Sequence, residues 1–509
     1  MSIVLLEPPR QENTNRFEEV VNAPLSACLF TDYIASILKE NNIETEIINA
    51  HLYDWSIDFT LSNIAKKDFS ILCIHVMYQW EETKDIFNML STIKQLKPQV
   101  HINIYGYYPT FTYDKILEDF TFIDSVTVGE PEFTTLELAR YTLSKQKNTV
   151  KINIPGLAFR NKGGDVVYHP RQPIQDLDLL PYPYRQDIDL YAKKGIAVYI
   201  LGSRGCYGQC TFCYLNPFYG QGNNWRGRSA KNIFEEILKL YTEYSINNFY
   251  FSDANFLGPG KHGRRRAVTL AELILMHDIN INFGFECRVN DIEEHSLSML
   301  VMAGLTNVFL GLESGDPESL SRFKKNTTVE GNKRAIQLLR DYGIEPTYGF
   351  IMFEPGSTLK SVRNNFEFLK ETNIMTTPAV TAHLLHHKET ILKGTPDYLS
   401  ITNKTTCSNS FTNYEAFYKI RNPEAEAFSE VITNVCKKAL SLLPSVHSCQ
   451  NAATDTGINS DSLAKLNNIL IALFEKTLSD FEKNNLTYNP DSIKKPSQEL
   501  IHEIERAIK

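Results

Sequence analysis

The stretch SRGCYGQCTFCY, residues 203–214, brings three of the chain's nine cysteines, Cys206, Cys210 and Cys213, within eight positions. Three thiolates spaced C-x₃-C-x₂-C can ligate iron or zinc. Structural zinc sites usually take four protein ligands, often as two C-x₂-C pairs. A [4Fe–4S] cluster held by three cysteines keeps one iron without a protein ligand, open to a substrate or cofactor. Gly205 and Gly208 would let backbone N–H groups approach the cluster sulfides. The preceding run, IAVYILGS, reads as a strand, so the cysteine loop leaves a strand's carboxyl end.

Outward from that loop, residues 196–400 alternate strand and helix patterns. SAKNIFEEILKLYTEY reads as a helix, NNFYFSD as a strand, and GRRRAVTLAELILMH as a helix with a basic start. ININFGFECR, TNVFLGLES and EPTYGFIMF read as further strands. The series implies a partial or full β/α barrel with its active site at the strands' carboxyl ends. Residues 401–509 lack strand signals. FSEVITNVCKKALSLL and DSLAKLNNILIALFEKTLSDFEK read as amphipathic helices of a C-terminal helical domain.

Residues 1–145 carry a separate series. IVLLEPP, TEIINA, FSILCIHV, HINIYG and SVTVG are apolar strands, and helical patterns lie between them. Such runs imply a parallel sheet covered on both faces, a doubly wound, flavodoxin- or Rossmann-like α/β domain. Ligands on such folds sit beyond the strands' carboxyl ends. Residues 146–195 read as a linker, with a hairpin in IPGLAFRNKGGDVVYHP and a proline-rich exit, DLDLLPYPYR.

Length and composition agree with this division. A chain of 509 residues exceeds one hydrophobic core. It is 42% hydrophobic and 22% charged, with a formal net charge of −8, which argues against nucleic acid as a partner. No apolar run approaches the roughly 18 residues of a membrane span. The N-terminus lacks the features of a signal peptide, so the expected location is cytoplasmic. The six scattered cysteines read as small buried apolar side chains.

The cysteine spacing, with Phe212 before the last cysteine, resembles the radical SAM superfamily. DLDLLPYPYR, NNWRGRSAKNIFEEI, FYFSDANF, FECRVN, GLESGD and GFIMFEPGST resemble later segments of its barrel. The resemblance implies a [4Fe–4S] cluster on Cys206, Cys210 and Cys213. Its open iron would chelate S-adenosylmethionine, whose reductive cleavage yields a 5′-deoxyadenosyl radical. It implies S-adenosylmethionine contacts at Phe212, Asp253, Arg288 and Glu313, with Gly349 and Phe350 lining the adenine pocket. It also implies a one-electron donor such as flavodoxin or ferredoxin. Ordinary strand-end ion pairing is the competing reading of the charged residues.

The order of domains resembles the group with a B12-binding domain, and the likeness covers roughly residues 1–400. EPPRQ, GYYPTF and VGEPEFTTLELA carry it in the first domain. This domain departs from the group's pattern by adding volume. Cys73 and His75 stand where small residues are usual, Tyr105 replaces a glycine, Tyr108 a histidine and Pro131 a glycine. Overfilling a groove costs free energy unless the ligand is gone. Two readings stay open: a relic domain that shapes the substrate pocket, or a cobalamin site. His75, Tyr78 and Trp80 are candidate corrin-facing or catalytic residues. The alternatives are a satisfied strand-end histidine and aromatic residues that cap the sheet. His386, in HLLHHKE, is a candidate acid or base.

The leading expectation is an enzyme performing radical group transfer, rearrangement or bond formation on a small molecule of secondary metabolism. A cobalamin-dependent C-methyltransferase, an RNA- or peptide-modifying enzyme and a metal scaffold are the alternatives.

Overall fold

In the computed structural model the described residues are 2–10, 29–78, 82–144, 153–220, 224–402, 414–443 and 460–484. Trp80 lies outside them.

The first unit runs β1 (Ile3–Glu7), α1 (Phe30–Glu40), β2 (Thr45–Asn49), α2 (Ile57–Ala65), β3 (Ile71–His75), α3 (Glu82–Leu96), β4 (His101–Tyr105), α4 (Tyr107–Asp119), β5 (Ser125–Thr127) and α5 (Glu132–Leu143). The strands β1 to β5 pair in parallel in the order β2-β1-β3-β4-β5. The central strands β1 and β3 are buried along their whole length. Covering both faces of a sheet requires such unbroken apolar runs. Here α1 packs with α5 and α2 with α3. The hairpin β6 (Leu157–Arg160) and β7 (Val166–Tyr168) extends this sheet beyond β5 as two antiparallel strands.

The chain then passes through α6 (Ile188–Lys194) into β8 (Val198–Ile200), β9 (Ser203–Arg204), α7 (Leu215–Tyr219) and β10 (Arg226–Gly227). The barrel continues with α8 (Ala230–Tyr244), β11 (Asn248–Phe251), α9 (Gly260–Met276), β12 (Asn282–Arg288), α10 (Glu294–Met302) and β13 (Leu305–Glu313). It closes with α11 (Pro317–Arg322), α12 (Val329–Asp341), β14 (Thr347–Phe350), α13 (Leu359–Glu371), α14 (Pro378–His386) and α15 (Pro396–Thr402). Five parallel strands in the order β8-β11-β12-β13-β14 make the wall. A single parallel bridge, Phe353 to Lys388, stands where a sixth strand would pair. The barrel is therefore partial.

The last helices, α16 (Pro423–Leu442) and α17 (Ser460–Asn484), pack on α14 and α13. They share one apolar core with the barrel: Phe474 stacks on Phe366 at 4.7 Å and Phe428 meets Phe353 at 6.1 Å. The C-terminal helices thus complete the outer layer. A second core joins the first unit to the barrel through Tyr199, Leu201, Tyr214 and Phe218.

Candidate active site

Local sequence builds the cysteine loop where β8 ends. Gly205 takes φ 73, a conformation open to glycine at little cost, and a Cβ there would overlap the Asn224 carbonyl. A Cβ at Gly208 would overlap the Arg288 guanidinium. The two glycines therefore let the loop pass between β10 and β12. Thr211 N–H donates to the Phe323 carbonyl at 3.1 Å, and the Thr211 carbonyl accepts from Asp397 N–H at 3.1 Å.

Each of the three thiols has a donor, that of Cys213 being the Leu215 backbone N–H. Gly208 N–H donates to Cys206 Sγ at 3.3 Å, and Arg288 Nη1 donates to Cys210 Sγ at 3.3 Å. Burial pushes the Cys213 thiol up to about 12, and the neighbouring Cys210 and Cys206 push the same way. Burial also raises Cys206, against the Gly208 N–H and the Arg288 charge. Cys206 and Cys213 therefore hold their protons in the absence of a metal, and metal binding would displace them. Among the described residues no three His, Cys, Asp or Glu side chains converge on the position of one metal ion. A cubane cluster does not need that, because each thiolate takes a different iron. The thiol set with its N–H donors and flanking cations fits a [4Fe–4S] cluster, and it does not form a single-ion zinc site.

Positive charge is concentrated beside the thiols. Arg288 is buried at the end of β12, donates to the Lys325 carbonyl and lies over the Tyr207 ring at 5.3 Å. Lys325 is also buried, and its Nζ pairs with Glu313 Oε1 at 2.7 Å. Glu313 has φ 65 at a register irregularity between β13 and β14. A non-glycine residue in that region carries strain, which here turns a carboxylate toward Lys325. Tyr207 Oη donates to Asp291 at 2.8 Å, and Asn255 Nδ2 donates to the same carboxylate at 2.9 Å. Lys325 and Asp291 lie outside the motif segments, and Tyr207 and Asn255 lie inside them without being singled out.

The other expected residues fall into separate places. Asp253 accepts from Ser203 Oγ at 2.6 Å and from Gly202 N–H at 2.7 Å, so it fastens β11 to the strand before the cysteine loop. Burial raises its carboxyl to about 6, opposed mainly by Arg266. Phe212 meets Phe323 edge-on at 5.4 Å. Gly349 faces Phe309 and Glu313 on the inner side of the barrel. Phe350 turns the other way and stacks on Phe368 at 6.0 Å in the apolar core. His386 Nδ1 pairs with the Ala382 carbonyl at 2.6 Å within α14, a helix packed against α16 and α17.

Residues 200–369 match the model of the radical SAM superfamily. The chain is an enzyme with a radical SAM domain. An uncharacterised methyltransferase of Pyrococcus horikoshii is 27% identical over 74% of this chain and 79% of its own length. The 4′-phospho-dehydrooxetanocin synthase of Priestia megaterium is 25% identical over 69% of this chain, which spans only 49% of that protein. Among solved structures, the cobalamin-dependent radical enzyme OxsB, with aqua-cobalamin and S-adenosylmethionine bound, superposes with a TM-score of 0.77. It is 19% identical, and the match covers 99% of this chain and 80% of that one. TsrM from Kitasatospora setae, with cobalamin and a [4Fe–4S] cluster bound, gives 0.68 at 16% identity over 100% of both chains. These likenesses establish a shared fold.

The chain's first domain fills the region beyond its strand ends. Glu7 at the end of β1 contacts His75 Nδ1 at 3.1 Å at the end of β3, and accepts from Thr31. Thr31 Oγ1 meets Tyr105 Oη at 2.6 Å, and the Tyr105 ring stacks on His75 at 5.3 Å. Glu7, Thr31, His75 and Tyr105 are all buried. Next to them, Tyr78 contacts Tyr108, Tyr214 and Tyr414, while Tyr107 contacts Tyr214 and Phe218. Tyr78 Oη donates to the Lys393 carbonyl at 2.6 Å. A bound corrin with a nucleotide tail needs an open groove here, and these side chains occupy it. The residues present do not fit cobalamin.

Proposed function

We propose that the chain uses the cluster and S-adenosylmethionine for radical group transfer, rearrangement or bond formation on a small molecule, with a first domain that no longer holds cobalamin. When bound, the cluster and S-adenosylmethionine supply a one-electron reductive cleavage and a carbon radical. The chain's residues hold and shield. Cys206, Cys210 and Cys213 anchor the cluster, Gly208 N–H and Arg288 donate to their sulfurs, and Lys325 adds a second buried cation. On this reading Arg288 and Lys325 offset the carboxylate of S-adenosylmethionine, and Glu313 offers an acceptor to its amino or ribose groups. The aromatic side chains of the first domain wall off water from the barrel interior.

The observation that carries the absence of cobalamin is the continuous buried contact of Glu7, Thr31, His75 and Tyr105 across three strand ends. The competing reading, a cobalamin-dependent C-methyltransferase, is favoured by the shared fold with OxsB and TsrM. Anaerobic reconstitution with iron, sulfide and hydroxocobalamin separates them. About four irons per chain, no cobalt after desalting and 5′-deoxyadenosine formation support the proposal. Stoichiometric cobalt would overturn it in favour of methyl transfer. Zinc in place of iron would overturn both.

A further inference from the structure

The middle strands of the barrel show one repeated pattern. Phe249 and Phe251 are buried, and Tyr250 between them is half-buried. Phe285 and Cys287 likewise flank half-buried Glu286, and Val308 and Leu310 flank half-buried Phe309. Successive side chains on a strand face opposite sides. The buried set lies in the core beneath the outer helices, so the half-buried set faces the barrel interior. Partial exposure in the middle of a covered sheet marks open space. Glycines on the same face leave that space: Gly284 pairs with Tyr250, and Gly311 pairs with both Arg288 and Gly349.

Glu286 sits in this space, paired with Phe309, which pairs in turn with exposed Thr347 at the β14 edge. Two residues further along the same face, Arg288 reaches Cys210. The Glu286 carboxyl accepts no hydrogen bond and meets no cation among the described residues. The charged group that faces it is another acid, Asp253, and its other titratable neighbours are Tyr250 on β11 and Cys287, which is buried in the core on the opposite face of β12. Burial first, and Asp253 second, push its carboxyl up to about 8. An interior acid with a second acid beside it lacks a positive charge, and Tyr250 and Phe309 supply aromatic walls that suit a cation.

We infer that Glu286 is a substrate-binding residue that takes a protonated amine, with Tyr250 and Phe309 flanking the carbon skeleton of the amine-bearing molecule. This rests on the reading that the barrel interior is where the small molecule reacts. It narrows the substrate to amines, whose cation a carboxylate in an aromatic-lined cavity selects over an uncharged isostere.

The test uses the iron-reconstituted enzyme with S-adenosylmethionine and two probes of equal shape, benzylammonium and benzyl alcohol, measured by calorimetry near pH 8. Benzylammonium is expected to bind at least about tenfold more tightly than the alcohol. Glu286→Gln should abolish that preference and Glu286→Asp should keep part of it, with iron content reporting that each variant folds. Equal binding of the two probes, or no binding of benzylammonium, overturns the inference. So does a Glu286→Gln variant that loses S-adenosylmethionine instead, since the carboxyl would then serve the sulfonium. The formation of 5′-deoxyadenosine is read separately, so a failure of the radical SAM reading is not mistaken for a failure at Glu286.

Discussion

Arg288 Nη1 lies 3.3 Å from Cys210 Sγ, so the carboxyl end of β12 and the cysteine loop are joined by one charged hydrogen bond. The same guanidinium reaches the Lys325 carbonyl. Charged hydrogen bonds of this kind contribute about 1.5–3 kcal/mol each. Arg288→Gln is expected to lower S-adenosylmethionine affinity by roughly 10–100-fold in cluster-loaded enzyme. Equilibrium binding at matched iron content checks this. An unchanged affinity would confine Arg288 to holding the loop.

On the proposed reading Cys206, Cys210 and Cys213 would each serve a different iron, so none could substitute for another. Changing any one to Ala should abolish both iron retention and 5′-deoxyadenosine formation after anaerobic reconstitution. Iron assay and chromatography of the quenched reaction read the two together. A triple variant that still makes 5′-deoxyadenosine would remove the cluster from this loop.

The parts legible in the sequence were those set by local chemistry. C-x₃-C-x₂-C spacing states its ligand set within eight positions, and the apolar strand runs declare a buried parallel sheet. What escaped was set by distant partners. The helix α4 begins at Tyr107, directly after Gly106 at φ 124. Its aromatic first turn is a poor helix former in isolation and is held by burial against α7, where Tyr107 meets Phe218. Gly349 and Phe350 read as one adenine-pocket pair, but strand alternation sends them to opposite faces. Lys325 follows a short helix with no motif around it, and only the fold brings it to Glu313. The amphipathic C-terminal helices were legible, but not their partners α13 and α14.

The filled groove makes a gain-of-function prediction. Tyr105→Gly with His75→Ser removes both stacked rings and leaves Glu7 with Thr31. Loss of a buried aromatic ring costs about 3–5 kcal/mol, so the variant should unfold at lower temperature. Hydroxocobalamin should recover part of that loss by binding, read as a rise in midpoint and as cobalt retained after desalting. His75→Ser alone provides a milder form if the double variant does not fold. Cobalt uptake no greater than in the parent would show that these side chains are not what excludes the corrin.

Arg204, at the entry to the cysteine loop, ties the two domains together through charge. It is buried, lies over the Phe30 and Tyr33 rings, and pairs with Glu130 at 2.9 Å and with Glu132. Burial raises the Glu130 carboxyl, but Arg204 and Arg226 outweigh it and hold the group below the ordinary 4.5. A carboxyl depressed in the fold stabilises it fully above that value and progressively less as pH falls through its folded value. Arg204→Met leaves Glu132 without a cation and Glu130 with Arg226 alone. Breaking a buried pair from one side costs about 3–5 kcal/mol. The urea midpoint should therefore drop more at pH 7 than at pH 4, because the stability that the Arg204 charge lends through the depressed Glu130 carboxyl is partly lost as pH falls. Iron retention should fall with it, because Gly205 and Cys206 follow Arg204 directly. A larger loss at pH 4 than at pH 7 would show that Arg204 acts through its packing on Phe30 and Tyr33 rather than through its charge.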